Sequence, residues 1–209
     1  MPRARCLSWW EPVVASLAEP SGHLIAGVDE AGRGPLAGPV VAAAVMIDPA
    51  RPIEGLADSK KLTARRREKL AGIIRQSAVS VGIAVIEAET IDRLNILQAT
   101  LEGMRQAVAA LSPQPAGILV DGNQAPRVDM PVTTLVGGDG IEDCIAAASI
   151  IAKVHRDGLM LAWHERYPEY GFARHKGYPT AAHLSALQRL GPCPAHRRSF
   201  RPVTQLALL

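Results

Sequence analysis

The stretch Gly27-Val28-Asp29-Glu30-Ala31-Gly32-Arg33-Gly34-Pro35-Leu36-Ala37-Gly38-Pro39 decides how the rest of the chain is read. An apolar run from Leu24 to Val28 delivers two adjacent carboxylates and then a Gly-Arg-Gly turn. Successive side chains of a strand point to opposite faces, so Asp29 and Glu30 reach one site only if the strand ends there. The glycines and Pro35 supply turn geometry and close backbone approach, and they predict that end. Two carboxylates beside exposed backbone amides and an arginine suit a divalent cation next to a phosphodiester. The competing reading is a strand end with solvated acids and a surface turn that binds nothing.

Outward from this stretch, the pattern predicts strands first and then alternating helices and strands. Val40 to Ile47 is apolar almost throughout, which suits a central strand covered on both faces, and Pro49 and Pro52 end it. Thr63 is a candidate N-cap for a helix that carries Arg65, Arg66, Arg67, Glu68 and Lys69 around Leu70, Ile73 and Ile74. Val79 to Ile86 reads as a third strand, and these three strands make an antiparallel meander. A short helical turn over Thr90–Leu94 precedes a helix over Ile96–Leu111, stopped by Pro113 and Pro115. Ile118-Leu119-Val120 is a short buried strand ending at Asp121. Pro131 to Val136 is another, ending in Gly137-Gly138-Asp139-Gly140. A long helix follows over Ile141–Tyr167, and a last one near Thr180–Leu190. This order predicts a mixed α/β layer architecture.

The 209 residues fit one domain, and 48% hydrophobic residues suffice for a core, built from Ala, Val, Ile and Leu because aromatics are only 4%. The net charge of +3 is weak evidence for a nucleic-acid partner, but basic residues cluster at Lys60, Lys61, Arg65, Arg66, Arg67 and Lys69 and again at His196, Arg197, Arg198 and Arg201. Cys6, Cys144 and Cys193 are far apart, with no CxxC pair, which argues against a zinc ribbon or disulfide scaffold and suits a reducing cytoplasm. No run approaches the roughly 18 apolar residues needed to cross a bilayer. A soluble cytoplasmic protein, with no membrane partner, is expected. Residues 1–22, with Trp9 and Trp10, read as a flexible N-terminal extension that docks by one tryptophan.

Three acid clusters each follow an apolar run and sit beside glycine: Asp29-Glu30, Asp121 and Asp139. Strand ends of one α/β sheet converge on one edge, where ligands of such sheets bind. Four carboxylates gathered there repel one another unless a cation neutralises them. With hard oxygen ligands and no Cys or His cluster, that ion is Mg²⁺ or Mn²⁺ rather than zinc. For each acid alone, the competing reading is a loop carboxylate capping a turn. Asp157 is more simply paired with Lys153 one helical turn away, and Glu142 and Asp143 suit a helix first turn. His175, Lys176 and Tyr178 make a cationic loop with one aromatic, fit for a phosphate and a sugar or base, or else a solvated loop with a buried tyrosine. The Thr63–Lys69 charge run reads as a solvated helix face, and only Ser59, Lys60 and Lys61 are placed in a site.

The chain also carries Asp58-Ser59-Lys60-Lys61-Leu62, Asn95-Ile96-Leu97, Val120-Asp121-Gly122-Asn123, Ala147-Ala148-Ser149-Ile150 with Ala152-Lys153-Val154 and Arg156-Asp157, Tyr170-Gly171-Phe172 and His175-Lys176-Gly177-Tyr178. With the opening stretch, this ordered set over roughly residues 24–203 resembles bacterial ribonuclease HII, of the type 2 ribonuclease H family. The resemblance implies a ribonuclease H-like fold, with a mixed five-stranded sheet flanked by helices and a C-terminal helical part. The single catalytic domain would span 23–205, with a tail at 206–209.

It further implies endonucleolytic cleavage of the RNA strand of RNA–DNA hybrids and incision at single ribonucleotides in duplex DNA, by a monomer using two divalent ions, Mn²⁺ or Mg²⁺. Carried over residue by residue, the metal-holding catalytic acids are Asp29, Glu30, Asp121 and Asp139. The backbone of Gly32, Arg33 and Gly34 senses the ribose 2′-OH, and Tyr178 stacks on the sugar at the RNA–DNA junction. The family often has Lys-Gly-Asp at the fourth acid, where this chain has Gly137-Gly138-Asp139. The related ribonuclease HIII carries a much longer N-terminal substrate-binding domain than the residues that precede the core here. Two rival functions stay open: a nuclease of the same fold acting on DNA junctions, and a non-catalytic hybrid-binding protein. Contact with a sliding clamp also stays open.

Overall fold

The computed structural model describes residues 24–56 and 62–206. The expected extension 1–22 and the candidate residues Ser59, Lys60 and Lys61 lie outside the described residues. Five strands form one sheet: β1 (Ile25–Ala31), β2 (Val40–Met46), β3 (Ser80–Ile86), β4 (Gly117–Asp121) and β5 (Val132–Leu135), in the spatial order β3-β2-β1-β4-β5. β1, β2 and β3 are the antiparallel meander predicted, while β4 joins β1 and β5 joins β4 in parallel. The helices are α1 (Ala64–Ser77), α2 (Ala88–Leu94), α3 (Ile96–Ala109), α4 (Asp143–Arg166), α5 (Phe172–His175), α6 (Ala181–Leu190) and α7 (Val203–Leu206). The architecture is a ribonuclease H-like α/β fold.

Local chemistry sets the helix starts. Thr63 caps α1 by accepting the Arg66 amide, Asn95 caps α3 by accepting that of Gln98, and Thr180 caps α6 by accepting that of His183. β2 is buried along its whole length because both its faces are covered. Ala42, Ala44 and Met46 face Met104, Ala107 and Val108 of α3, while Val41, Ala43 and Val45 face α4 and the Leu70, Ala71 and Ile74 stripe of α1. Small residues on strand and helix let the layers approach closely. A Cβ at Gly27 would collide with the α4 backbone at Cys144 and Ile145, so β1 and α4 are in near-direct backbone contact. That contact carries the start of α4 up to the sheet edge where β1 and β4 end.

Among the described residues, four aromatics stand apart from the sheet core. Tyr170 and Phe172, with Trp163 and Tyr167 beside them, pack with Cys193 and Ala195 into a separate cluster that builds the C-terminal helical part. The loop Leu36–Gly38 is stitched to that part: the Leu36 amide donates to the Gly177 carbonyl (2.9 Å), the Gly38 amide to that of Ala195 (2.8 Å), and the Arg197 amide to that of Leu36 (2.8 Å). The basic C-terminal run does not form a cationic strip, since His196 and Arg197 are buried while Arg198 and Arg201 face solvent.

Candidate active site

β1 and β4 run parallel with Val28 opposite Val120, so Asp29 and Asp121 follow side by side at the same sheet edge. The strand does not end at Asp29, as the sequence reading required. It continues to Ala31, with Glu30 opposite Ala42 and Ala31 opposite Val41 of β2. Its pairing with β4 stops at Val28, so the last residues of β1 have a neighbour on one side only. Glu30 reaches the site around that open edge. Asp29, Glu30 and Asp121 thus line one cavity of about 230 Å³, together with Gly32, Arg33, Gly34, Ser149, Lys153, Arg156 and Tyr178.

The electrostatics of this cavity are unfavourable as they stand. Burial raises the pKa of Asp29 well above the ordinary carboxylate value; Glu30 and then Asp121 add like-charge repulsion, which a hydrogen bond from Ser149 and the Glu30 amide (2.7 Å) offset in part. Glu30 is raised by burial, against the lowering effect of Arg33, whose Nη1 lies 3.4 Å from Oε1. Asp121 Oδ1 accepts the Gly138 amide at 2.8 Å, which ties the end of β4 to the 3-10 turn Gly138–Gly140. Asp139 is buried in that turn, next to Gly138 but outside the cavity lining. Gly137 has φ 72°, a left-handed conformation that glycine adopts without strain. No group of three or more His, Cys, Asp or Glu side chains among the described residues is arranged as a ready-made metal cage. The donor set is nevertheless of the right chemistry: clustered, partly buried carboxylate oxygens that repel one another fit a hard divalent cation.

Of the HKGY loop, only Tyr178 reaches the cavity, 44% exposed. His175 is turned inward, with Nε2 on the Tyr170 carbonyl (2.7 Å) and Nδ1 accepting the Gly177 amide (3.2 Å). Lys176 bends back to cap the Ala173 carbonyl at 2.8 Å. Both were expected to touch substrate, and neither lines the cavity: the His175 ring bridges the Tyr170 carbonyl and the Gly177 amide on either side of α5, and Lys176 closes the last turn of α5. Behind Tyr178 stands a hydrogen-bonded chain whose direction is fixed by its ends. The Tyr178 carbonyl can only accept, so His183 Nδ1 donates to it (2.9 Å). His183 Nε2 therefore accepts from His196 Nε2 (3.1 Å), and His196 Nδ1 accepts the Cys193 amide (3.1 Å). Burial, followed by the neighbouring His183, pushes His196 down to about 4, and burial lowers His183 too, so both rings are neutral near pH 7.

Ser149, Lys153 and Arg156 were not singled out as site residues. They lie four and three residues apart and so share one face of α4, the face turned to the acids. That spacing of polar residues in an alanine-rich helix was the available signal. Lys153 does pair with Asp157 as expected (2.8 Å), but it also faces the cavity.

A mixed sheet with acids gathered where its central parallel strands end, a glycine turn beside them and a helical part behind defines a protein of the ribonuclease H-like class. The family model for Ribonuclease HII matches residues 26–203, and the chain belongs to that family. The chain is similar to the Ribonuclease HII of Azoarcus sp., 60% identical over 184 residues that cover 88% of this chain and 90% of that one. Among solved structures it is similar to the ribonuclease H2 from Pyrococcus horikoshii, with TM-score 0.74 at 29% identity, covering 88% of this chain and 96% of that one. It is also similar to the Archaeoglobus fulgidus ribonuclease HII solved in complex with PCNA, with TM-score 0.73 at 27% identity over 85% and 95% of the two chains. The chain is a ribonuclease H, a hydrolase.

Proposed function

We propose that the chain hydrolyses the RNA strand of RNA–DNA hybrids and incises duplex DNA at single embedded ribonucleotides, leaving 5′-phosphate and 3′-OH ends. The observation that carries this reading is the meeting of Asp29, Glu30 and Asp121 with the Gly32–Gly34 backbone and Tyr178 in one cavity. In it, Asp29, Glu30 and Asp121, together with Asp139 of the adjoining 3-10 turn, would hold two divalent ions, Mg²⁺ or Mn²⁺. Such ions, when bound, lower the pKa of an attacking water and stabilise the leaving 3′-oxygen. The chain's own residues do the rest. Ser149 fixes the Asp29 carboxylate, Lys153 and Arg156 bring positive charge to the phosphate side, the glycine turn offers backbone amides to the 2′-OH, and Tyr178 stacks on the sugar. A side-chain nucleophile is not part of the scheme.

The test is cleavage of a duplex with one embedded ribonucleotide, with and without Mn²⁺, with the cut mapped. The reading expects metal-dependent incision on the 5′ side of the ribonucleotide. Cutting of all-DNA duplexes or four-way junctions at a similar rate would favour the junction nuclease. Tight hybrid binding without turnover would favour the non-catalytic alternative.

A further inference from the structure

Two buried arginines flank the glycine turn. Arg197 is 0% exposed and Arg156 is 1% exposed, and among the described residues neither forms an ion pair. Each spends its guanidinium on backbone carbonyls. Arg197 donates through Nη2 to Gly32 (2.6 Å), through Nη1 to Arg33 (2.9 Å) and through Nε to Gly38 (3.0 Å). Arg156 donates through Nε to Pro39 (3.0 Å) and through Nη2 to Ala37 (3.2 Å) and Lys176 (3.0 Å). The fit is close: at Gly32, with φ +101°, a Cβ would collide with the Arg156 side chain and the Pro39 carbonyl.

A trans peptide is planar, with the carbonyl of one residue and the amide N–H of the next pointing in opposite directions. Holding the Gly32 and Arg33 carbonyls therefore also sets the direction of the Arg33 and Gly34 N–H groups, away from Arg197. The three residues line the cavity and Arg197 does not. Among the described residues nothing accepts from either amide. We infer that Arg197 is a positioning residue for sugar recognition: its fork holds two peptide planes so that the Arg33 and Gly34 amides present themselves to the substrate, with Arg156 bracing the far side of the same loop.

A buried cation without an anion is a costly way to pin a loop, and burial, together with the nearby Arg156, brings Arg197 down to about 9. The planar guanidinium holds two adjacent carbonyls in fixed directions, whereas the lysine ammonium is a rotatable point charge. The inference rests on the reading that the glycine turn contacts the ribose.

The experiment compares the full chain with its Arg197→Lys and Arg197→Gln variants, in EDTA, by fluorescence anisotropy. The probes are two duplexes of one sequence, one with a single ribonucleotide and one all-DNA. Two neutral hydrogen bonds predict a preference of roughly tenfold for the ribonucleotide duplex in the unaltered protein. In the variants that preference falls to within twofold, while affinity for the all-DNA duplex stays within twofold of the unaltered protein. A folded variant that keeps the preference overturns the inference alone. An unaltered protein with no preference overturns the sugar-reading turn, and the inference with it. If both variants melt below the assay temperature, the fork serves folding rather than recognition, and the inference is withdrawn.

Discussion

The acid-lined sheet edge and the histidine chain behind Tyr178 are both partly buried and polar, and they are built on opposite principles. At the sheet edge, Asp29, Glu30 and Asp121 are brought together with like charges facing, and burial and repulsion raise the pKa of Asp29 and Glu30. In the C-terminal part, Cys193, His196, His183 and the Tyr178 carbonyl hand one hydrogen bond to the next, with each ring in a single neutral tautomer. A satisfied network rigidifies its surroundings, whereas a cluster of like charges costs stability until a counter-ion arrives. The first region is suited to chemistry and the second to holding a loop.

The largest effect is expected from removing one charge at the sheet edge. Asp29→Asn or Asp121→Asn should lower cleavage of a labelled hybrid by about a thousandfold or more while leaving hybrid binding largely intact. Near-normal cleavage by either variant in Mg²⁺ or Mn²⁺ would break the contrast at its active end.

The next effect belongs to the histidine chain. Burial and the neighbouring His183 push His196 down to about 4 in the fold, below its ordinary 6.5, so the unfolded chain takes up the proton first as pH falls. The stability contributed by the neutral ring is fully present above pH 6.5 and is lost towards pH 4, by about 3 kcal/mol at most. Thermal melts across that window should show a steep loss that His196→Gln flattens. Equal slopes in the two proteins would remove His196 from the account. Smaller again is Tyr178→Ala, expected to cost about tenfold at single embedded ribonucleotides and less on long hybrids, as for loss of one stacking partner. An equal loss on both substrates would count against a junction role.

The strands and the longer helices were legible because each carries its own signal, such as apolar or β-branched runs, Thr63 as a cap and prolines as stops; the short helices Phe172–His175 and Val203–Leu206 were not. The meeting of Asp29, Glu30 and Asp121 was legible because their apolar runs end at one edge of the sheet. The route by which Glu30 joins Asp29 was not, since it depends on β1 outlasting its pairing with β4, a register that no local pattern encodes. The inward turn of His175 and Lys176 was not legible, because their charge is visible in sequence but their hydrogen bonds to Tyr170 and Ala173 are not. Arg197 was hidden in the opposite sense. It reads as part of a basic surface run, and only the fold shows it buried against a loop more than 150 residues earlier, at Gly32 and Arg33.

The central claim is that the carboxylate cluster is a cation site whose occupant relieves its repulsion. Thermal melting of the unaltered protein and of Asp29→Asn, each in EDTA and in saturating Mn²⁺, tests it most directly. The unaltered protein should gain about 5 °C or more with Mn²⁺. Asp29→Asn should melt at or above the unaltered protein in EDTA, because the buried charge is gone, and should gain little from the ion. A variant that is less stable in EDTA, yet gains as much from Mn²⁺ as the unaltered protein, would contradict the claim.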